Sequence, residues 1–242
     1  MMQLVRSACV PLALNAEGVR EVAIVTDTAV DTPVIEALAA AAVAMGMEPT
    51  IVMFTPRHAS GHEPPGVAAS ALRGADLMLL ACSTSMAHTA AVRSALRAGV
   101  KYVGLPGISV DTMLHGAATA DYALVGRITE AVARVLTEAR MVRVETPGGC
   151  HLRLSVEGRS AFRLDGVFRP GSICCFPDGE AAVAVVEGTA EGKLVVDSSI
   201  AGVGSLREPV VLEFEKGRLA KVSGGDDARQ FQCLLEAHGD EN

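Results

Sequence analysis

The chain has no tryptophan, and aromatic residues are 3% of its 242 residues, so there is almost nothing from which to build a stacking platform for bases or sugars. An excess of positive charge is missing as well. The formal charge is −7 at pH 7, and no stripe of Lys and Arg could track a phosphate backbone. Nucleic acid is therefore not an expected partner. The longest apolar runs, such as Ile35 to Met47, are alanine-rich and too short or too interrupted to cross a bilayer. The N-terminal Met1-Met2-Gln3-Leu4-Val5-Arg6 does not read as a secretion signal. The six cysteines show no CxxC spacing, and several sit within apolar runs where a free thiol packs as a small hydrophobe. A reduced, cytoplasmic protein without a membrane partner is expected.

What is present is a core of Ala, Val, Leu, Ile and Met, written in two grammars. In the first part, apolar strands alternate with helices: Glu21 to Thr26, then a helix opened by Asp31-Thr32-Pro33 and running to Gly46, with Pro near its first position. The unit recurs with Thr50 to Phe54 and a short helix to Arg73, and with Asp76 to Cys82 and a helix from about Met86 to Gly99. It recurs once more with Lys101 to Leu105 and a helix after Ser109, and a helix from Thr129 to Arg140 closes this half. Continuously apolar strands that each lead into a helix predict a parallel sheet.

After about Met141 the period falls to two. Val142 to Thr146 and His151 to Val156 flank the turn Pro147-Gly148-Gly149, which reads as a hairpin. Further strands are expected at Ala181 to Val186, Lys193 to Asp197, Val210 to Glu215 and Leu219 to Val222, followed by a helix that starts at Asp226 and aligns Phe231, Leu234 and Leu235. The fold class is α/β: a Rossmann-like parallel-sheet N-terminal domain over residues 1–140, followed by a β-rich (α+β) C-terminal domain over 141–242.

Two apparent nucleotide motifs fail on inspection. Gly188-Thr-Ala-Glu-Gly192-Lys193 is one residue short of a phosphate loop, has Leu194 where a Ser or Thr should meet magnesium, and leads into a strand. Gly202-Val203-Gly204 lacks a third glycine and a following helix. His58, His62 and Glu63 share a proline-rich loop, which reads as a solvated segment beside a cleft or as a gate over substrate. Cys82-Ser83-Thr84-Ser85-Met86-Ala87-His88-Thr89 follows the third strand. Its hydroxyls either cap the next helix or form, with Ser83, Ser85 and His88, a cradle for an anion or polar substrate in which His88 moves a proton. Glu180, after Pro177-Asp178-Gly179, is either a turn carboxylate or a metal ligand at a strand edge.

Phe176-Pro177-Asp178-Gly179-Glu180, the stretch Glu187 to Asp197, the hairpin from Leu212 to Gly225 and the segment Ser83 to Thr89 together resemble the aminopeptidase T-like proteins. This group joins metallopeptidases with 2,5-dihydroxypyridine 5,6-dioxygenases. The resemblance implies an α/β domain followed by a β-rich metal-binding domain, with Glu180 as a metal ligand. The Gly-Thr-Ala-x-Gly wording is closer to the dioxygenase branch, which implies iron(II) and a small aromatic substrate. The peptidase branch would imply zinc or cobalt and a peptide. A member that had lost its metal would be a binding or scaffold protein. The resemblance also implies further ligands, including a late His-x-Asp pair; Ala237-His238-Gly239-Asp240 is not read as that pair, so the remaining ligands are expected beyond this chain. A β domain lacking such a portion would expose strand edges, so a homo-oligomer or a covering protein partner is expected.

Overall fold

The computed structural model describes the backbone of residues 1–238 and the side chains up to residue 237. Two compact units emerge, and the chain visits the first twice. The first comprises Met1–Ala131 and Phe162–Ala181; the second comprises Val132–Ala161 and the chain from Ala182 onward. A single boundary after residue 140 does not capture this return, because residues 162–181 carry little apolar periodicity from which to assign them to either half.

The first unit holds helix α1 (Met2–Ala13), then β1 (Glu21–Asp27), α2 (Thr32–Ala44), β2 (Glu48–Phe54), α3 (Gly66–Arg73), β3 (Leu77–Ala81), α4 (Ala90–Arg97), β4 (Lys101–Gly104) and α5 (Val110–Leu114). Its four strands form a parallel sheet in the order β2-β1-β3-β4. The two central strands have the continuous apolar runs expected of a strand covered on both faces: Val22 to Val25 and Leu77 to Ala81 are all buried. Strand β2 lies at the edge and exposes Ile51 and Met53. Burying a Leu or Ile side chain contributes about 1.5–3 kcal/mol, so β1 and β3 dominate the cohesion of the layer. Helix α1 is absent from the sequence reading; Pro11 lies inside it, a residue that argues against a helix interior. Burial of Leu4, Ala8 and Leu12 offsets that cost.

Helix α6 (Tyr122–Glu138) starts seven residues before the expected Thr129, because Asp121 Oδ1 accepts the N–H groups of Ala123 and Leu124 at its first turn. The second unit follows with β5 (Met141–Glu145) and β6 (His151–Ser155), and the returning segment carries β7 (Phe162–Leu164) and β8 (Glu180–Ala182). Then come β9 (Glu191–Val196), β10 (Ser199–Ile200), β11 (Gly204–Ser205), β12 (Val210–Glu215), β13 (Arg218–Ser223) and α7 (Asp226–His238). An antiparallel sheet in the order β13-β12-β9-β6-β5 forms this unit, and Val210, Leu212 and Ala228 centre its core with Phe231 against them. The expected strand Ala181 to Val186 shortens to β8, since Val186 turns away to donate its N–H to Ser155. Lys216 and Gly217 both take positive φ between β12 and β13, the backbone of a tight hairpin. The architecture is the expected one: a parallel α/β layer and a β-rich part with a terminal helix.

Candidate substrate crevice

In the parallel sheet the chain passes from β1 outward to β2 and then returns to the other side of β1 to make β3. The strand order therefore reverses between β1 and β3, and such a switch point opens a crevice outside the carboxyl ends of the strands. Thr26 and Ala81 are partners in the register, so Asp27 and the Cys82–Ser83 turn emerge side by side. Asp27 is 1% exposed. Its Oδ2 accepts from Ser83 N at 2.7 Å and Ser83 Oγ at 2.8 Å, and its Oδ1 accepts from Ala29 N at 3.0 Å. The loop after β4 closes on the same turn, where Gly107 N donates to Cys82 O at 2.8 Å. It is also tied to the loop after β1 by Val110 N, which donates to Asp31 Oδ2 at 3.1 Å. Burial pushes the Cys82 thiol up to about 12, with the Asp27 charge adding to it, so Cys82 serves this site as packing and not as a nucleophile.

The rest of the Ser83 to Thr89 segment faces a different neighbour. Ser85 N donates to Ser60 Oγ at 3.2 Å, and Ser85 O accepts from Gly61 N at 2.8 Å, which pins the proline-rich loop onto this turn. Thr89 caps α4 through Val92 N. The free N–H groups of Ala90 and Ala91 already have an anion: both oxygens of the Glu63 carboxylate accept from them. The expected cradle at this helix end is thus filled by the chain's own Glu63. His88 is exposed, its carbonyl accepts from Arg93, and among the described residues its imidazole makes no hydrogen bond.

Glu180 opens β8 and is exposed. It is reached through a segment that joins the parallel sheet: Gly104 N donates to Cys174 O and Phe176 N donates to Gly104 O, each at 2.8 Å. Phe176 packs on Tyr122, with ring centroids 4.9 Å apart, and Asp178 N donates to Tyr122 Oη at 3.0 Å. Burial raises the Asp178 carboxyl and the neighbouring Glu180 charge raises it further. The Cys175 thiol rises to about 11 through burial, with Asp178 and Glu180 adding their charge. Ser83 and Ser85 share one turn, whereas no hydrogen bond or ion pair among the described residues joins Glu180 to that turn or to His88.

The family profile described as NicX: 2,5-dihydroxypyridine 5,6-dioxygenase matches residues 13–242. The chain belongs to this family. The resemblance read around Glu180 is therefore correct. No curated protein sequence matches the chain. Among solved structures, 2,5-dihydroxypyridine dioxygenase from Pseudomonas putida KT2440 is similar, with a TM-score of 0.82 at 21% identity over 99% of this chain and 73% of that one. Wild-type AmpT, the aminopeptidase T from Thermus thermophilus, has a TM-score of 0.62 at 17% identity over 99% of this chain and 75% of that one. At these identities the two structures speak for the fold.

A NicX family member implies a metal, and the described residues do not fit one as a set. Among them no group of three or more His, Cys, Asp or Glu side chains comes together. The charge of Glu180 acts on the neighbouring Asp178 carboxyl. One part of the sequence reading needs correction: His238-Gly239-Asp240 does have the His-x-Asp spacing, and it lies outside the described side chains. Sequence reasoning missed Asp27 as a residue of the crevice region, and it did not find the partners of Glu63. Asp27 directly follows the expected strand Glu21 to Thr26, and a carboxylate at the end of the first apolar strand of a Rossmann-like layer is itself a signal. Glu63 shares its loop with His58 and His62, and nothing in that spacing points to α4.

Proposed function

We propose that this protein is a ring-cleaving dioxygenase of the 2,5-dihydroxypyridine type, which binds a planar, hydroxylated heteroaromatic in the crevice outside β1 and β3. The observation that carries this reading is the family match over residues 13–242; the reversal of strand order beside Ser83 supports the location. Iron(II) is the metal the reading implies. Since the described residues bring together no ligand set, no chemical step through a metal is derived from them.

The chain's own contribution is recognition and positioning. Ser83 presents a hydroxyl at the mouth of the switch point, held from behind by Asp27, and the turn is fixed on its other side by Gly107. Backbone and side chain are pinned together, so a ring hydroxyl placed there meets a preorganised partner. His88 and Ser85 are proposed to lie along the substrate's approach, and a homo-oligomer or a covering protein partner belongs to the same proposal.

Purified protein loaded anaerobically with iron(II) and then given 2,5-dihydroxypyridine and oxygen tests the activity. Stoichiometric iron and substrate-dependent oxygen uptake are expected. Protein that retains no metal and consumes no oxygen overturns the catalytic reading. Cobalt- or zinc-dependent release of amino acids from short peptides would place it with the peptidases instead. Light scattering checks the assembly, which a stable monomer would refute.

A further inference from the structure

We infer that Asp27 fixes the hydrogen-bond polarity of Ser83, so that the crevice selects a ligand hydroxyl or ring N–H that donates and rejects the corresponding O-methyl ether. The inference rests on the proposed placement of substrate at the switch point. A hydroxyl has one proton to donate and two lone pairs with which to accept. The Ser83 proton is directed at Asp27 Oδ2 over 2.8 Å, and the Ser83 backbone N–H goes to the same oxygen at 2.7 Å. Asp27 cannot turn away to release either, because Ala29 N holds its other oxygen at 3.0 Å and the side chain is buried at the end of a central strand.

Both donors of Ser83 are therefore committed inward, and the capacity left on Oγ is to accept. The turn cannot rotate to offer a different group, since Gly107 N holds the carbonyl of Cys82 at 2.8 Å. A ligand whose hydroxyl donates to Ser83 completes the chain of hydrogen bonds. Its ether brings an oxygen with no proton against an oxygen with no proton to give. Sites built to bond a ligand hydroxyl discriminate strongly against an analogue that cannot satisfy the buried partner. Asp27 is a positioning residue in this scheme and Ser83 the group that touches the ligand.

The test measures binding by calorimetry for two hydroxyl and ether pairs: 2,5-dihydroxypyridine with its 5-O-methyl ether, and catechol with its monomethyl ether. For the wild-type protein the hydroxyl member should bind at least about tenfold more tightly. Ser83→Ala should bring the ratio to near one, and Ser83→Thr should restore it. Asp27→Ala removes the oxygen that takes the Ser83 hydroxyl proton and leaves that proton free to donate to an ether oxygen, so its ratio should fall toward one; circular dichroism confirms that each variant is folded. A wild-type ratio near one for both pairs, or an unchanged ratio in Ser83→Ala, overturns the inference. If only the catechol pair binds and shows the ratio, the polarity inference stands and the dihydroxypyridine reading falls.

Discussion

Asp165 and Arg169 meet through two parallel hydrogen bonds, Nη1 to Oδ1 and Nη2 to Oδ2, both at 2.8 Å. Asp165 is 1% exposed, so the pair anchors the returning segment of the first unit from inside. Burial alone would raise the Asp165 carboxyl; the Arg169 hydrogen bonds and charge outweigh it and hold the carboxyl below its ordinary value of 3.8. The folded state thus takes up this proton less readily than the unfolded chain. Its stabilisation is present above about pH 5 and is lost as the pH falls through the depressed value. Arg169→Ala leaves a buried carboxylate without its main partner and should cost about 3 kcal/mol at pH 7. It should also flatten the loss of stability below about pH 5, both read from urea unfolding at a series of pH values.

Asn15 is 4% exposed and ties the end of α1 to the same segment. Its amide donates to Pro11 O and Gly166 O, both at 2.8 Å, and its Oδ1 accepts from Phe168 N at 2.7 Å. Asn15→Ala strands those backbone groups in a buried place, and a loss of about 3 kcal/mol is expected. Thermal unfolding measures it; a change within about 0.5 kcal/mol, as at an ordinary surface site, would contradict the assignment.

Glu63 fills the N-terminus of α4. Glu63→Ala should cost about 1 kcal/mol and raise hydrogen exchange at Ala90 and Ala91 roughly fivefold, while the β3 amides keep their protection. Equal protection at Ala90 in both proteins would show that the loop does not latch the helix.

Gly192 has φ of +112° and lies so close to His151 that a Cβ would be driven into the carbonyl oxygen of that residue. Since β6 and β9 pair there, Gly192→Ala should destabilise the second unit by at least about 2 kcal/mol, measured by the same urea titration. Full stability in this variant would mean that the close approach is not kept.

The thiols should separate by burial. Cys82 and Cys174 are buried, and burial pushes both thiols up, Cys82 to about 12. Cys233 is exposed. At pH 8 a thiol reagent should therefore modify Cys233 rapidly and leave Cys82 and Cys174 untouched until the protein unfolds. Mass mapping of the modified peptides reads the order directly.

The layer of parallel strands was legible because β1 and β3 are apolar throughout, and a strand buried on both faces must be. The hairpin of β12 and β13 was legible from Lys216-Gly217, whose turn chemistry is local. The crevice was visible only on one side. Ser83 stood out as a hydroxyl after a strand, while its partner Asp27 lies 56 residues earlier, a separation at which no periodicity speaks. Helix α1 was hidden by Pro11, whose cost is offset by burial that the sequence pattern does not display. The link from Glu63 to α4 was illegible for a similar reason: its partners are backbone N–H groups, and these carry no residue identity.

The return of residues 162–181 to the first unit has a consequence for the order in which the protein can be made. Synthesis delivers β1 to β4 first, yet Asn15 waits for partners 151 and 153 positions downstream, and Gly104 waits for Cys174 and Phe176. The β5–β6 hairpin therefore leaves the ribosome before the N-terminal unit can finish its own core. Such long separations slow folding. A nascent chain halted near residue 140 should expose the Asn15 end of α1 and bind chaperone, and one halted well beyond residue 181 should not.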